Sequence, residues 1–527
     1  MTRKHALGLA LGSGTIVLAG LTGLAGTAGA GNVLRVPLDH ATIGAALAAA
    51  SPGDEIRASA SGSPYVENIQ LAPGVNLIGG FDDTYTISNP TGNETVVSAA
   101  VAQTVIGIGA EIGSDVTLAG FTIRGGVTAS GGGIFCATGS SPTITDCVIR
   151  DNVVTVSGAG IQIANGAAPR IVRCIFEHNV AALRGGGINV VAGADGTVIE
   201  FCTFTQCSTA TSGQPAGGGA AIATASGIRF ERNVVRENHS GRNGGGMMVN
   251  SGASVRAWGN QFLANSATFD GGAIYSIGGD GEHFRTTVEH NLAGGSGGGV
   301  YFEGGSNRFF DGFIHSNACA GTQGPGYGGG IYFDRSDGAW VRGTEIVGNN
   351  AREGGGIAVQ GTPVRQFTFV TIESNTIMGN VASVSGTGAG IHVLASEFLG
   401  VIRNNIIAFQ ALGHGIACVG ILASPNIRSN CVINGLTNPV AEYGGSCDDR
   451  TGINGNIRAN PQFCCGGDLS APPCAPNQHP DLVLSATSPC LGAGEDGVDL
   501  GAHPGSKACG SVSVEATSWG KIKAYYR

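Results

Sequence analysis

The run Gly244-Gly245-Gly246-Met247-Met248-Val249 returns 27 residues later as Gly271-Gly272-Ala273-Ile274-Tyr275-Ser276, and between the two lies Asn260-Gln261-Phe262-Leu263-Ala264-Asn265. Outward from this pair, a glycine triplet or near-triplet begins at Gly131, Gly158, Gly185, Gly217, Gly244, Gly271, Gly297, Gly328, Gly354 and Gly388, at spacings of 26 to 34 residues. Each is followed by an apolar-x-apolar triad such as Ile161-Gln162-Ile163 or Ile331-Tyr332-Phe333. This alternation is that of a strand with one buried face. About 20 residues after each triplet comes Cys or Asn, x, apolar, x, x, Asn, as in Cys147-x-Ile149-x-x-Asn152, Cys174-x-Phe176-x-x-Asn179 and Asn260-x-Phe262-x-x-Asn265. Asn291, Asn317, Asn349 and Asn380 continue the series, with Cys207 and Gln410 in its place in two repeats.

A fixed period of this length is the mark of a solenoid. One coil buries little alone, but stacked coils pair their strands in parallel at ~4.8 Å and share one core. Ten coils predict a rod roughly 50 Å long at that spacing. A polar side chain recurring once per coil is expected to form a ladder of amide hydrogen bonds, and the glycines to provide positive φ and close backbone approach at a corner. The fold class is therefore all-β, a right-handed parallel β-helix of about ten regular coils over residues 127–430, preceded by a cap and irregular coils over 31–126. Residues 41–50 are Ala-rich and predict a helix in that N-terminal cap. Residues 431–510 hold Cys431, Cys447, Cys464, Cys465, Cys474, Cys490 and Cys509, and predict a disulfide-stapled C-terminal cap, ahead of a basic-aromatic tail at 511–527.

Composition narrows the function. The chain has 527 residues with 92 Gly, only 28 Lys plus Arg, and a net charge of −9, so no nucleic-acid footprint is expected. No Lys occurs between Gly31 and Ser506, which leaves the coils without a lysine base. Arg3 and Lys4, an apolar run, and Ala28-Gly29-Ala30 read as a signal peptide over residues 1–30, so a secreted or cell-surface protein is expected. The 14 Cys then meet an oxidising compartment. No later segment is long and apolar enough to span a membrane as a helix. A monomer is expected.

The chain resembles the pectin-lyase-like right-handed β-helix superfamily, in its exported bacterial form. The resemblance rests on the repeats, on residues 42–54 with Tyr65-Val66-Glu67-Asn68-Ile69 and Gly74-Val75-x-Leu77-x-Gly79 as N-terminal cap, and on Ser488-Pro489-Cys490 through Asp499-Leu500-Gly501-Ala502 as closing motif. Gly271-Gly272-Ala273-Ile274 and Phe262-x-x-Asn265 are similar to repeats of chlamydial polymorphic outer-membrane proteins, which are adhesins with a C-terminal barrel. Fewer than 100 residues follow Asn438 here and they are Cys-rich, so that barrel is not expected. The superfamily contains lyases, hydrolases, esterases, epimerases and non-enzymatic binders, so the resemblance speaks for fold more than for activity.

The middle residue of each triad points outward. Coil by coil these are Phe135, Gln162, Asn189, Ala221, Met248, Tyr275, Tyr301, Tyr332, Ala358 and His392. Two positions further on, also outward, come Asn250, Ile277, Glu303, Asp334 and Gln360. Aromatic faces stack on sugar rings and carboxylates accept sugar hydroxyls, so Tyr275, Tyr301, Tyr332, Gln360 and Asn250 are the expected binding residues for an extracellular polysaccharide or cell-surface glycan. The same tyrosines also suit a ladder that only stabilises the sheet. Glu303 and Asp334, with Arg335 beside them, are the candidate catalytic set of an alternative reading as a glycoside hydrolase or lyase. Carboxylates on neighbouring coils are close in any β-helix, however, so their proximity alone says little. Gly413-His414-Gly415 matches a polygalacturonase element, but Asn-Thr-Asp and an upstream Asp pair in the required order are missing. His414 is therefore expected in a turn. No zinc motif or tandem calcium nonapeptide occurs, so no metal and no cofactor are expected, and calcium is not marked by a motif. The leading expectation is non-catalytic binding or adhesion, with polysaccharide cleavage and a purely structural rod as alternatives.

Overall fold

The computed structural model describes residues 31–210, 217–222, 225–361, 368–394, 398–420, 425–434, 441–463, 482–503 and 506–507. The expected signal peptide, the tail after residue 507, and Cys464, Cys465, Cys474 and Cys509 lie outside them.

One coil shows the path. Strand Ile134–Cys136 lies on the first face, Thr143–Thr145 on the second, Val148–Arg150 on the third, and Val153–Ser157 on a short fourth ribbon. Ile161–Ile163 then resumes the first face one rung on, pairing parallel with Ile134–Cys136. The stacked faces are sheets of 14, 15, 14 and 10 strands. The ten-stranded ribbon, from Val127–Ser130 to Val381–Ala382, spans the ten regular coils read from the glycine triplets. The longer sheets run past it because the irregular coils at both ends also stack, so the rung count exceeds ten.

The glycines act as expected. Gly131, Gly158, Gly244 and Gly271 hold φ near +65° to +71°. The third glycine of a triplet abuts the next rung: a Cβ on Gly160 would sit 2.4 Å from the Gly187 carbonyl oxygen, and one on Gly187 2.4 Å from that of Gly219.

The polar motif forms two ladders rather than one. At each of two corners a residue with positive φ, such as Asp146 or Asp151, precedes an inward polar residue. Between the third face and the ribbon, Asn265 donates its backbone and side-chain N–H to Asn291 Oδ1 (2.8 and 3.0 Å). Asn291 repeats this to Asn317 (3.0 and 2.9 Å) and also caps the Phe262 carbonyl (2.9 Å). Gln410 continues this ladder, accepting from Asn380 N (3.0 Å). Between the second and third faces a second ladder starts with thiols, Cys174 and Cys202 donating to the carbonyls of Ile144 and Ile171 (both 3.6 Å), and continues through Asn233 and Asn260. These cysteines are buried thiols, and burial raises the pKa of Cys174. A buried amide with every group paired fixes the turn, whereas an orphaned partner would cost ~1–3 kcal/mol.

The core is a column of apolar side chains that repeats with the coils. Phe176 and Phe204 stack at 4.6 Å between centroids, and Phe302 and Phe333 lie at 5.7 Å. At the N-terminus the expected helix is present as Ile43–Ala49, N-capped by Thr42, with Ile43, Ala46 and Leu47 buried. At the C-terminus the coils continue beyond residue 431, to Cys431–Ile433 and Tyr443–Gly445, and Cys447 is disulfide-bonded to Cys418 within the coils. The described part of the C-terminal region then returns along the outside of the third face instead of simply covering the end. Ala502 N bonds Thr376 Oγ1 (3.0 Å), and Glu495 pairs with Arg403 (2.9 Å) and Arg428 (3.1 Å). It covers outward apolar residues Val347, Met378, Ile406 and Ile433 that would otherwise face water. No helix among the described residues is long and apolar enough to cross a membrane.

One core residue breaks the apolar rule. His283 is fully buried between Phe302 (5.9 Å) and Phe309 (5.8 Å), and neither ring nitrogen has a hydrogen-bond partner among the described residues. Burial pushes its pKa down to about 4. The unfolded chain therefore binds a proton below pH ~6.5 that the folded chain refuses until pH ~4, so stability is lost as pH falls through that window, by ~3 kcal/mol at the low end. Thermal melting between pH 7 and pH 4 is expected to show a smaller loss for His283→Phe than for the parent chain; equal losses would place the acid sensitivity elsewhere.

Candidate functional site

The expected outward column is a true rung-by-rung stack. Met248 pairs with Tyr275, Tyr275 with Tyr301, Tyr301 with Tyr332, Tyr332 with Ala358 and Ala358 with His392. Glu303 pairs with Asp334, and Asp334 with Gln360. Period-2 alternation on four-residue strands such as Val300–Glu303 and Ile331–Asp334 sends both sets to the outer surface.

The rings, however, do not form an open platform. Tyr275, Tyr301 and Tyr332 are only 5%, 8% and 3% exposed. Their centroids lie 4.9 and 4.8 Å apart, with Tyr301 and Tyr332 edge to face, and Tyr327 of the preceding loop packs on Tyr332 at 5.7 Å. Each hydroxyl reaches across one rung and donates to a polar side chain there. Tyr275 donates to Glu303 Oε2 (2.6 Å), Tyr301 to Asp334 Oδ2 (3.0 Å) and Tyr332 to Gln360 Oε1. Burial, with the carboxylates adding, holds all three phenols well above their ordinary pKa.

Arg335 closes this network. It follows its strand with φ at +50°, and its guanidinium bonds Asp334 through Nε (3.2 Å) and Nη2 (2.9 Å) and also reaches Glu303 Oε1. Arg335 is half exposed, Glu303 less so, and Asp334 buried. The visible surface is thus a polar rim of Arg335, Glu303 and Gln360 above a tyrosine layer. Asn250, beyond its strand Met247–Val249, is half-buried and makes no hydrogen bond to this network among the described residues.

One neighbour was not singled out from sequence, and another, His392, was read only as a member of the outward column. Asp270 precedes the Gly271 corner, accepts from Ser296 N (2.7 Å), and has its pKa pushed up to about 6 by burial, with Glu303 and Asp334 adding to the rise. His392 continues the column, fully buried; Nδ1 accepts from Gly388 N (3.1 Å), and burial pushes its pKa down to about 4. Glu353 lies 3.1 Å from its Nε2, but off the line a hydrogen bond requires. His414 opens the strand His414–Cys418 and bonds the Ala441 carbonyl through Nδ1 (2.9 Å); Gly413, not His414, makes the turn. Among the described residues no group of three or more His, Cys, Asp or Glu side chains is placed to hold a metal ion.

A family model described as a right-handed β-helix region matches residues 106–293. The chain is a right-handed parallel β-helix protein. No curated protein matches it. Among solved structures, the A-module of the Azotobacter vinelandii mannuronan C-5 epimerase AlgE6 is 15% identical over 79% of the β-helix chain and 93% of its own, with a TM-score of 0.33. A mannuronic-acid-specific family 6 polysaccharide lyase from human gut microbiota is 11% identical over 71% and 76%, with a TM-score of 0.26. The A-module of the epimerase AlgE4 is 14% identical over 74% and 89%, with a TM-score of 0.20. Likenesses at these scores carry no argument about activity.

The closed network has a measurable consequence. Removing Arg335 leaves Glu303 and Asp334 on adjacent rungs without the guanidinium that bridges them. Arg335→Ala is expected to cost about 1 kcal/mol at pH 7, and little when combined with Glu303→Gln. An undiminished melting-temperature loss in the double variant would contradict this.

Proposed function

We propose that this β-helix is an exported polysaccharide-binding protein that holds its ligand along the rim of the tyrosine face without cleaving it. The observation that carries the reading is that Glu303 and Asp334 are both already engaged as acceptors, by Arg335 and by tyrosine hydroxyls. Glycoside hydrolysis needs a carboxylic acid that arrives protonated at the leaving oxygen. Both carboxylates are instead held by protein donors, with Arg335 bonded to each. A rim of guanidinium, carboxylate and amide groups suits recognition of sugar hydroxyls. The tyrosines serve this rim as a rigid support rather than as stacking surfaces, since their rings are covered. The leader-like sequence of residues 1–30 supports secretion or surface display.

A second reading rests on Asp270, whose pKa near 6 gives it the character of a general acid beside the same carboxylates. One experiment separates the two. Purified mature protein is exposed to a glycan array, and to soluble polysaccharides followed for new reducing ends and unsaturated products, with and without calcium. The expected result is retention without products, with retention lowered roughly tenfold in Arg335→Ala, equivalent to ~1.4 kcal/mol. Products that disappear in Asp270→Asn or Asp334→Asn would overturn the binding reading in favour of catalysis.

A further inference from the structure

A strip of partly exposed aromatic rings lies on the second face. Trp258, Phe284 and Phe310 stack outward on three successive rungs, and Trp340 joins them on the next. Phe284 and Phe310 centroids lie 5.3 Å apart, and Phe310 meets Trp340 edge to face at 5.3 Å. All four are only partly buried, unlike the tyrosines of the first face. The Trp340 indole N–H is turned inward and buried, so it is the ring and not its N–H that reaches the surface.

Arginines flank this strip. Arg232 lies over the Trp258 ring at 4.4 Å and Arg342 over Trp340 at 5.9 Å. Across the five rungs that carry the strip, Arg229, Arg232, Arg256, Arg285, Arg308 and Arg342 face outward beside five carboxylates, Glu231, Asp280, Glu282, Asp311 and Asp337. Arg308 pairs with Glu282 (2.9 Å) and Arg229 with Glu231 (3.0 Å), while Arg232, Arg256, Arg285 and Arg342 are exposed and form no ion pair among the described residues. Four guanidinium groups outside ion pairs thus border this ribbon of partly exposed rings.

We propose that this strip is a second binding surface, for an anionic polysaccharide whose sugar faces stack on the rings and whose carboxylate or sulfate groups pair with the unpaired arginines. The chemistry is complementary at both levels. Ring faces take the apolar faces of sugars, and guanidinium groups take acidic substituents in forked hydrogen bonds. Rungs ~4.8 Å apart present these groups as a regular linear array, which suits a linear polymer. Interleaved carboxylates favour a hydroxylated ligand over single-stranded nucleic acid, whose closely spaced phosphates call for an unbroken basic track. The surface is separate from the tyrosine face and does not depend on the reading given to that face.

Trp258 and Trp340 are two of the three tryptophans in the chain, the third being Trp519 in the tail, so intrinsic fluorescence reports on this strip directly. The full mature chain carrying Trp519→Phe is titrated with polygalacturonate, neutral dextran and oligo-dT. The expected result is a tryptophan intensity change with polygalacturonate that weakens with added salt and is at least roughly tenfold weaker with dextran and with oligo-dT. The exposed double variant Arg232→Gln with Arg342→Gln lowers the affinity roughly tenfold while its melting temperature shows that it folds. No fluorescence change, an equal or stronger response to oligo-dT, or a response indifferent to the arginine variant would overturn the proposal. Glycan retention with silent tryptophans would leave the tyrosine-face reading standing and remove this one.

Discussion

Everything in this molecule depends on coils stacking at the strand-pairing distance of ~4.8 Å while turning a corner at the same place on every rung. Parallel pairing fixes the distance, but it leaves the corner carbonyls and amides to be satisfied in the interior. The two polar ladders do this. Asn265, Asn291 and Asn317 each bond the next rung and one of them also caps Phe262, so every rung determines the placement of its neighbour. The residues just before them adopt positive φ with ordinary side chains, Asp151, His178 and His290 among them. That conformation is unfavourable in isolation and persists where the surrounding ladder over-determines it.

Once the rungs are locked, side chains on the outer faces become columns, and a column is a functional surface whose chemistry is set rung by rung. On the first face this produced a tyrosine layer whose hydroxyls tie down Glu303, Asp334 and Gln360, with Arg335 closing the set. The network uses its own polar groups on one another, which makes it rigid and leaves little uncommitted for proton transfer. On the second face the rings stay partly exposed, and four of the six arginines beside them form no ion pair among the described residues. The same architecture thus yields one closed surface and one open one.

Much of the fold was legible in the sequence because its signals are local and periodic. The glycine triplets and the Asn series fixed the coil length, and the triads after the glycines placed Tyr275, Tyr301 and Tyr332 in register. What the sequence hid was cover. Nothing in the Tyr332 strand says that Tyr327, from a loop several residues earlier, packs on its ring, or that the hydroxyls reach diagonally to the next rung. Asp270 escaped notice because its raised pKa comes from burial and from carboxylates on other coils. Trp258, Phe284, Phe310 and Trp340 were missed for a different reason. Trp258, Phe284 and Phe310 each follow a single glycine, Gly252, Gly278 and Gly304, but these lie outside the triplets that mark the coils, so the alignment appears only once the second face is assembled. His283 and the returning segment at residues 482–503 likewise depend on neighbours distant in the chain.

The most direct test of the account is a crystal structure of the mature chain soaked with an oligosaccharide that the protein retains. The account predicts an intact ligand lying across Arg335, Glu303 and Gln360, with the tyrosine rings undisplaced beneath it. A cleaved product between Asp270 and Asp334, or sugar rings seated flat on Tyr275, Tyr301 and Tyr332 after the network has opened, would contradict it.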